Sequence, residues 1–182
     1  MKTKDIAKLG ILAALSIVLV SLIHIPIFPA VSFLEYDPAD VPILIGTFAL
    51  GPGFGFLLTV IVSLIQGLTV SSASSWYGIV MHVIATGTFC LIAGLMYKNS
   101  KTKKKAVIAL AVGSISMVLV MIPANLLLTP VYLRMLGVPS EAAFPTVVGL
   151  LVWIILFNTV KAGINSFVTF LLYKRVSGIL HR

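Results

Sequence analysis

The sequence predicts an all-α protein, a bundle of six transmembrane helices with the N- and C-termini in the cytoplasm. Three observations lead to this prediction: the apolar composition, the division of the chain into six apolar stretches, and the position of the basic residues between those stretches. Hydrophobic residues make up 59% of the 182 residues and charged residues only 10%, and the mean hydropathy is +1.14. A soluble domain of this size could not present such a surface to water, so lipid is the expected solvent for most side chains.

Six apolar stretches follow one another along the chain and are the candidate membrane-spanning helices. They cover residues 6–23, 41–50, 53–68, 77–96, 106–128 and 147–173. A helix needs about 20 residues to cross the hydrocarbon core, and the second and third stretches are shorter than this. Because Gly51-Pro52-Gly53 separates these two stretches, they are either two tilted spans or one re-entrant pair.

The basic residues decide between these two possibilities. Thirteen Lys and Arg against five Asp and Glu give a formal charge of +8, which in a soluble protein would suggest nucleic acid as the partner. Here the basic residues lie before the first stretch, in the segment 98–105, and after the sixth stretch. With six spans and a cytoplasmic N-terminus, eleven of the thirteen lie on the cytoplasmic side, and only Arg134 and Lys161 do not. Five spans would require the lysine-rich segment to be exported.

The six-span topology places the two longest connections outside, residues 24–40 and 129–146, together with Glu35, Asp37, Asp40 and Glu141. Long ordered loops are where binding residues are often found. We find no internal repeat, linker or second domain in the sequence, so residues 1–182 are expected to form a single integral membrane domain. The N-terminus resembles a signal peptide but has no evident cleavage site, so we expect a retained first helix.

Lys161 is the most informative residue, because a charge in the middle of a membrane span costs about 2.5 to 3.5 kcal/mol on insertion scales. Asn158 lies three residues before Lys161 and Asn165 four residues after it, so all three project from one helix face. We expect this polar face to point into the bundle and to meet a ligand. The alternative is that Lys161 only binds backbone carbonyl groups between helices.

Asn125 in the fifth stretch follows Pro123, which leaves the carbonyl group of Leu119 without its usual helical partner. Such breaks are tolerated where the backbone lines a cavity. Because the fifth span runs outward and the sixth inward, we predict that Asn125, Asn158 and Lys161 converge on one cavity in the outer half of the bilayer. Alternatively, Pro123 is only a kink and Asn125 joins two helices.

The first outer connection carries residues suited to a lid. Asp37 can cap the second helix with Pro38 at its first position, and Asp40 suits the first turn of that helix. Capping alone would explain both aspartates. Leu34 and Tyr36 have no such role, and an apolar and aromatic loop above a cavity would serve as a lid.

Trp76 and Tyr77 begin the fourth span, where an interfacial aromatic belt is the simpler interpretation and a stacking platform for a ligand is the alternative. His82, deeper in the same span, is expected to make a helix–helix hydrogen bond rather than to bind a ligand. Cys90 is the single cysteine, so neither a disulfide nor a cysteine-based metal site can form within the chain, and we expect it to pack in the interior.

The first span carries a small-x-x-x-small pattern at Gly10 and Ala14, with Ala7 on nearly the same face. Small residues allow another helix to approach closely. The pattern is common, so it indicates either packing within the bundle or a docking face for a partner.

Signatures of enzymes are missing from the sequence. There is no P-loop, so the chain cannot use ATP by itself in that way, and there is neither H-E-x-x-H nor G-x-S-x-G. No intramembrane acid is evident to pair with His82 in a metal site or a proton relay. We therefore expect no catalytic residue, no metal site and no enzyme activity.

Three segments resemble the substrate-binding S components of energy-coupling factor (ECF) vitamin transporters, and most closely the riboflavin-specific type. They are FLEYDPADVPILIGTFALGPGFG at residues 33–55, PANLLLTPVY at 123–132 and FNTVKAGINSFVTFLLYKR at 157–175. Together with the length and the six-span layout, the likeness covers nearly the whole chain.

The resemblance implies that riboflavin enters from outside and is held under the first outer loop, with Asn125, Asn158 and Lys161 bonding its ribityl hydroxyls. The resemblance also implies a transmembrane coupling protein that contacts the small residues of the first span. Two cytoplasmic ATPases would drive the complex, which would lie in the cell membrane. Riboflavin would be the transported ligand, and no cofactor is expected. The candidate substrate-binding residues are, in full, Leu34, Tyr36, Asp40, Trp76, Asn125, Asn158, Lys161 and Asn165.

Other substrates and another class of transporter stay open. The same fold could serve thiamine, biotin or folate. An unpaired Lys161 with no intramembrane carboxylate would favour an anion, such as a phosphorylated flavin or a vitamin with a carboxylate. A stand-alone secondary transporter is the alternative outside the family.

Overall fold

The computed structural model describes residues 3–70 and 74–180, and it confirms the all-α prediction. Six helices make up almost all of the described chain. They are α1 (Thr3–Leu22), α2 (Asp40–Leu50), α3 (Pro52–Leu68), α4 (Ser75–Lys98), α5 (Lys103–Met135) and α6 (Ser140–Leu180). In the bundle, α4 packs against α3 and α5, α5 packs against α6, and α2 contacts α1, α3, α4 and α6.

Four of these helices, α1, α4, α5 and α6, are long and apolar enough to cross a membrane. The other two are shorter, with 11 residues in α2 and 17 in α3. Helix α2 is only about 16 Å long, and ten of its eleven residues are buried. A helix that is apolar on all sides is typical of one surrounded by protein. Helix α2 therefore lies at the centre of the bundle, enclosed by the longer helices.

The turn between α2 and α3 shows why these two helices separate. Gly51 has φ +105°, a left-handed conformation that favours glycine, and its N–H donates to the carbonyl of Thr47 over 2.9 Å. Pro52 then occupies the first turn of α3, where its missing N–H costs nothing. A Cβ atom at Gly55 would overlap the hydroxyl of Thr47, so α3 packs closely on α2.

The connection between α1 and α2 is an ordered loop, as predicted. Two short strands, β1 (Ile25–Pro26) and β2 (Glu35–Tyr36), pair antiparallel with Ile25 opposite Tyr36. A 3₁₀ turn at Pro29–Val31 lies between the strands, and the side chain of Val31 is fully buried. The loop is thus anchored to the bundle at its middle as well as at its ends.

The prediction of a second long outer loop at residues 129–146 is wrong. Helix α5 continues to Met135 and α6 begins at Ser140, so Pro130 and Pro145 lie inside helices. The connection is a short turn in which Gly137 has φ +91°. Tertiary packing outweighs the proline signals here, because Val147 and Ile154 of α6 are buried against Val31 of the first loop.

Candidate functional site

A cavity of about 420 Å³ lies beneath the first loop. Its walls come from that loop and from α1, α3, α4, α5 and α6. Its apolar and aromatic residues include Leu34, Tyr77, Met81, Met117, Met121, Tyr132 and Phe157, and its polar residues include Glu35, Asp37, Asn158 and Lys161. Apolar walls with a few polar groups are typical of small-molecule sites.

An ion pair joins the loop to α6 at this cavity. The Lys161 Nζ atom lies 2.7 Å from Asp37 Oδ2 and 3.9 Å from Asp40 Oδ2. The side chains of Lys161 and Asp37 are only 9% and 5% exposed. The interpretation of Lys161 as a cation without a nearby carboxylate is therefore wrong. Asp37 is 124 residues away in the chain, so no local sequence pattern predicts the ion pair.

Asp40 is the centre of a second set of contacts, which joins four helices. Its Oδ1 atom lies 2.9 Å from His82 Nε2 and accepts a hydrogen bond from the Thr86 hydroxyl over 2.8 Å. Its Oδ2 atom accepts one from Asn165 Nδ2 over 3.1 Å. His82 Nδ1 in turn lies 2.8 Å from the hydroxyl of Ser63 in α3.

Two expectations about these residues have opposite outcomes. His82 does make hydrogen bonds between helices, as predicted. The prediction that no intramembrane acid pairs with His82 was wrong, because Asp40 at the start of α2 is 1% exposed and belongs to the interior. Helix capping alone also does not explain the contacts that the two aspartates make. Asp37 Oδ1 accepts from the N–H of Ala39 over 3.0 Å, so it caps the turn that precedes α2, while its other oxygen binds Lys161.

Tyr36 and Asn165 hold the loop in place rather than forming the wall of the cavity. The Tyr36 hydroxyl donates to Asn165 Oδ1 over 3.2 Å, and Asn165 Nδ2 also reaches the carbonyl of Asp37 at 3.4 Å. Asn165 is fully buried. Burial raises the pKa of the Tyr36 hydroxyl, and the nearby charge of Asp37 raises it further. The phenol therefore stays protonated and able to donate.

The sequence predicted that three polar residues converge on one cavity, and two of them do so. Asn158 and Lys161 both line the cavity, and Asn158 Nδ2 donates to the carbonyl of Ile154 over 2.8 Å. Asn125 lies one layer behind the wall, with Nδ2 bound to the Met121 carbonyl over 2.8 Å and Oδ1 accepting from Thr129 over 3.0 Å.

Asn125 acts on the cavity through an aromatic pair. The Thr129 hydroxyl lies 2.8 Å from the hydroxyl of Tyr77, and Tyr77 stacks on Tyr132 with ring centroids 4.3 Å apart. Both tyrosines line the cavity. Sequence reasoning favoured an interfacial belt for Tyr77, with a stacking platform as the alternative, and did not single out Tyr132. Aromatic residues at the outer ends of two neighbouring spans were the signal that could have found them.

Comparison with known proteins shows the family. A family model described as "ECF transporter, substrate-specific component" matches residues 4–173. The chain belongs to this family of S components. The S component is a substrate-binding subunit of a transporter and not an enzyme.

Three relatives of this S component are riboflavin transporters by name. It is 31% identical over 146 residues to RibU of Lactococcus lactis subsp. cremoris (strain NZ9000), covering 79% of this chain and 71% of that protein. It is 30% identical over 182 residues to RibU of Staphylococcus aureus (strain TCH60), covering 100% and 94%. It is 29% identical over 178 residues to FmnP of Bacillus subtilis (strain 168), covering 95% and 92%.

A solved structure has the same fold as this S component. It is described as the S component of a bacterial ECF transporter, and it superposes with a TM-score of 0.83 at 28% identity, covering 100% of both chains. The likeness thus extends over the whole of the bundle and is not limited to the cavity.

Two further candidate residues of the S component have different positions. Leu34 lines the cavity and packs against the cluster of Val31, Val147 and Ile154. Trp76 is 36% exposed and is not part of the cavity wall. Its ring meets Tyr77 edge-on, with centroids 6.2 Å apart. This position suits an interfacial belt better than a stacking platform.

The small residues of α1 lie on the outside of the S component. Ala7, Gly10 and Ala14 are all exposed, and a Cβ atom at Gly10 would meet nothing within 4 Å. Within the described part of the chain, this face is therefore not used for packing. It is open for a helix of another protein.

Among residues 3–70 and 74–180, no three His, Cys, Asp or Glu side chains are grouped so that they could hold a metal ion. What the arrangement offers is a partly enclosed space with apolar walls, an ion pair and an amide.

Proposed function

We propose that this S component captures riboflavin from outside the cell and delivers it inward together with a transmembrane coupling protein and two cytoplasmic ATPases. The observation that carries the proposal is the cavity beneath the first loop, in which the Lys161–Asp37 pair and Asn158 face apolar and aromatic walls. The names of the three relatives point to the same vitamin.

The chemistry of the cavity matches the two halves of riboflavin. The flat ring system needs apolar and aromatic walls, which Tyr77, Tyr132 and the methionines provide. The polyol tail is neutral, and each of its hydroxyls both donates and accepts a hydrogen bond. An ammonium donor, a carboxylate acceptor and an amide side by side serve such a tail well. The volume of about 420 Å³ lies within the usual range of about 300 to 1,000 Å³ for small-molecule sites.

The charges at the cavity favour a neutral substrate over an anionic one. Lys161 is already compensated by Asp37, and Glu35 adds another carboxylate to the wall. A phosphorylated flavin, biotin or folate would bring negative charge beside these carboxylates. Two negative charges about 4 Å apart near a protein surface repel by about 4 kcal/mol, and by less where water screens them. The physical argument for an anionic vitamin is thereby removed.

The proposed topology has six crossings, with both termini in the cytoplasm and residues 1–182 as one domain. Lys174 Nζ lies 3.3 Å from the carbonyl of Lys101, so the end of α6 is beside the α4–α5 connection. Phe48 at the end of α2 stacks on Tyr97 at the end of α4. At the other end, Ser16 of α1 donates to the carbonyl of Ala39 over 2.9 Å. These contacts support helices that alternate in direction, with the lysine-rich ends together.

The short α2 is compatible with a crossing because it never needs to span the whole bilayer by itself. Its first residue, Asp40, is buried beneath the first loop, so the helix starts below the outer surface. The loop covers the remaining thickness. Asp37 and Ala39, which lie just before the helix, are buried in the protein, and irregular backbone enclosed by protein is tolerated at membrane depth.

Ligand binding by the purified protein tests this function. The S component in detergent is titrated into riboflavin while the flavin fluorescence is recorded, and thiamine, biotin and flavin mononucleotide are used as competitors. We expect strong quenching at a 1:1 ratio, and competition by none of the three at equal concentration. A colourless preparation that does not quench riboflavin would refute the assignment of the vitamin. Uptake that persists in cells without any ATPase partner would refute the assignment of the mechanism.

A further inference from the structure

A groove of about 520 Å³ runs between α5 and α6 on the outside of the bundle, away from the cavity. Its walls are apolar, with Val107, Ala111 and Val118 on α5 and Gly163 and Phe167 on α6. Its residues are open to the surroundings of the protein: Val107 is 49% and Phe167 is 64% exposed. In a membrane, acyl chains are what surround such a surface.

A polar contact closes the floor of the groove and leaves few polar groups that a ligand could bind. The hydroxyls of Ser114 and Ser166 lie 2.9 Å apart and bond to each other. This contact holds α5 and α6 together below the apolar walls. The groove therefore suits a hydrocarbon chain better than a polar solute.

The ends of α5 and α6 add positive charge to one mouth of the groove. On α5, Lys103 and Lys104 lie four and three residues before Val107, so the helical period puts them on the same face as the groove. On α6, Lys174 lies four residues after Phe170 and has the same relation to its groove face. All three lysines are exposed.

A contact between the two helix ends brings these lysines to a common mouth. Lys174 Nζ donates to the carbonyl of Lys101, which lies two residues before the first residue of α5, over 3.3 Å. The first turn of α5 also presents the positive end of its dipole there. By the proposed topology, this mouth lies at the cytoplasmic surface, where anionic lipids attract basic residues by about 1 kcal/mol each.

We infer that the groove between α5 and α6 binds an anionic phospholipid of the cytoplasmic leaflet. One acyl chain lies along Ala111, Val118 and Gly163, and the headgroup phosphate meets Lys103, Lys104 and Lys174. The inference goes beyond the capture of riboflavin and does not depend on which vitamin is bound. The docking face of α1 is not involved, because α1 packs against α2 and α3.

Native mass spectrometry of the full chain in detergent tests the site. Phosphatidylglycerol and phosphatidylcholine with the same palmitoyl and oleoyl chains are titrated, and the affinity of the first bound lipid is measured. We expect phosphatidylglycerol to bind more tightly. The triple variant K103Q/K104Q/K174Q should lose at least about fivefold in its affinity for phosphatidylglycerol. The matched control K98Q/K105Q/R175Q removes three basic residues at the same surface, with Lys105 and Arg175 off the groove face, and should lose much less.

A second pair of variants tests the acyl chain without changing any charge. A Cβ atom meets nothing within 4 Å at either Gly163 or Gly149, and both lie on α6, but only Gly163 lines the groove. Gly163→Leu should fill the groove and lower lipid affinity severalfold, whereas Gly149→Leu should not. Riboflavin quenching by each variant reports that the protein is folded.

Three results of the lipid titrations would overturn the inference: equal binding of the two lipids, equal losses in the groove variant and its charge-matched control, and displacement of the lipid by inorganic phosphate alone. Stoichiometric copurification of a protein that protects the groove from lipid would also overturn it, in favour of a helix as the occupant.

Discussion

Lys161 Nζ in α6 lies 2.7 Å from Asp37 Oδ2 in the loop between α1 and α2. This ion pair connects the loop that covers the cavity to helix α6, together with the hydrogen bonds of Asn165. It also decides the charge that a substrate meets, because the ammonium does not face the cavity as an isolated cation. The first two predictions follow from this pair.

Asp37→Asn should change the selectivity for charge. The amide keeps the size of the carboxylate but removes its charge, so Lys161 is left with Asp40 at 3.9 Å as its nearest carboxylate. We expect the ratio of the affinities for flavin mononucleotide and riboflavin to rise by at least about tenfold, measured by fluorescence quenching. Glu141→Gln, which removes an exposed acid at the start of α6, is the matched control. An unchanged ratio in Asp37→Asn would contradict the role given to the pair.

Lys161→Ala should weaken riboflavin binding and also destabilise the protein. It leaves Asp37 and Asp40 buried without their cation, and removing one partner of a buried pair costs about 3 to 5 kcal/mol. Thermal unfolding without ligand measures this loss. The double variant K161M/D37L should recover most of the stability but not the binding. If the double variant also recovered binding, the pair would be a structural staple and not part of the site.

Asn158→Ala separates binding from stability more cleanly. Among the residues that the structure describes, its Nδ2 bonds only to the carbonyl one turn earlier on its own helix, so its loss should barely move the melting temperature. We expect riboflavin affinity to fall by about tenfold, the value of one or two hydrogen bonds.

Asn125→Ala is the contrasting variant, because both ends of its amide are bonded within α5. It should lower the melting temperature more than Asn158→Ala does. The reverse order of the two melting temperatures would argue that Asn158 is structural.

Gly10→Leu should leave the isolated S component able to bind riboflavin, because the space around Gly10 is open. It should impair uptake by the assembled transporter, because a large side chain prevents close approach of another helix. Gly149→Leu, also in open space on a different helix, is the control for uptake. Loss of binding by the isolated Gly10→Leu protein would show that this face is needed within the bundle.

Gly55→Ala should destabilise the bundle, because the added Cβ overlaps the Thr47 hydroxyl where α3 meets α2. Overpacking of this kind costs about 1 to 3 kcal/mol, which a lower melting temperature in detergent would reveal. Gly53→Ala, where nothing lies within 4 Å, should have little effect. Adding Thr47→Ala to Gly55→Ala removes the overlap with the hydroxyl but keeps the Cβ of residue 47 at 2.8 Å, so it should restore part of the stability if the overlap is the cause.

The polar residues of the site were recognisable in the sequence as single residues but not as a network. Lys161 and Asn158 stood out because charge and amide are costly in an apolar span, and both line the cavity. Helix capping was enough to explain Asp37 and Asp40 from their nearest sequence neighbours, although Asp40 was also a candidate substrate-binding residue. The cavity itself is assembled from five helices and a loop, and its stacked tyrosines meet only because α4 packs against α5.

The helices also differ in how well the sequence predicted them. Apolar length was sufficient to predict the four long helices, and Gly51-Pro52-Gly53 indicated the separation of α2 from α3. Residues 129–146 were misjudged, because their prolines suggest a loop while burial of Val147 and Ile154 keeps them helical.

By itself, the sequence determined that this protein is an α-helical membrane protein with a polar site near Lys161, because the bilayer requires long apolar segments and makes each buried charge conspicuous. Only the tertiary structure decided which groups surround that charge. The partner of Lys161 is 124 residues away, and a contact over such a distance is set by how the helices pack and not by any local pattern.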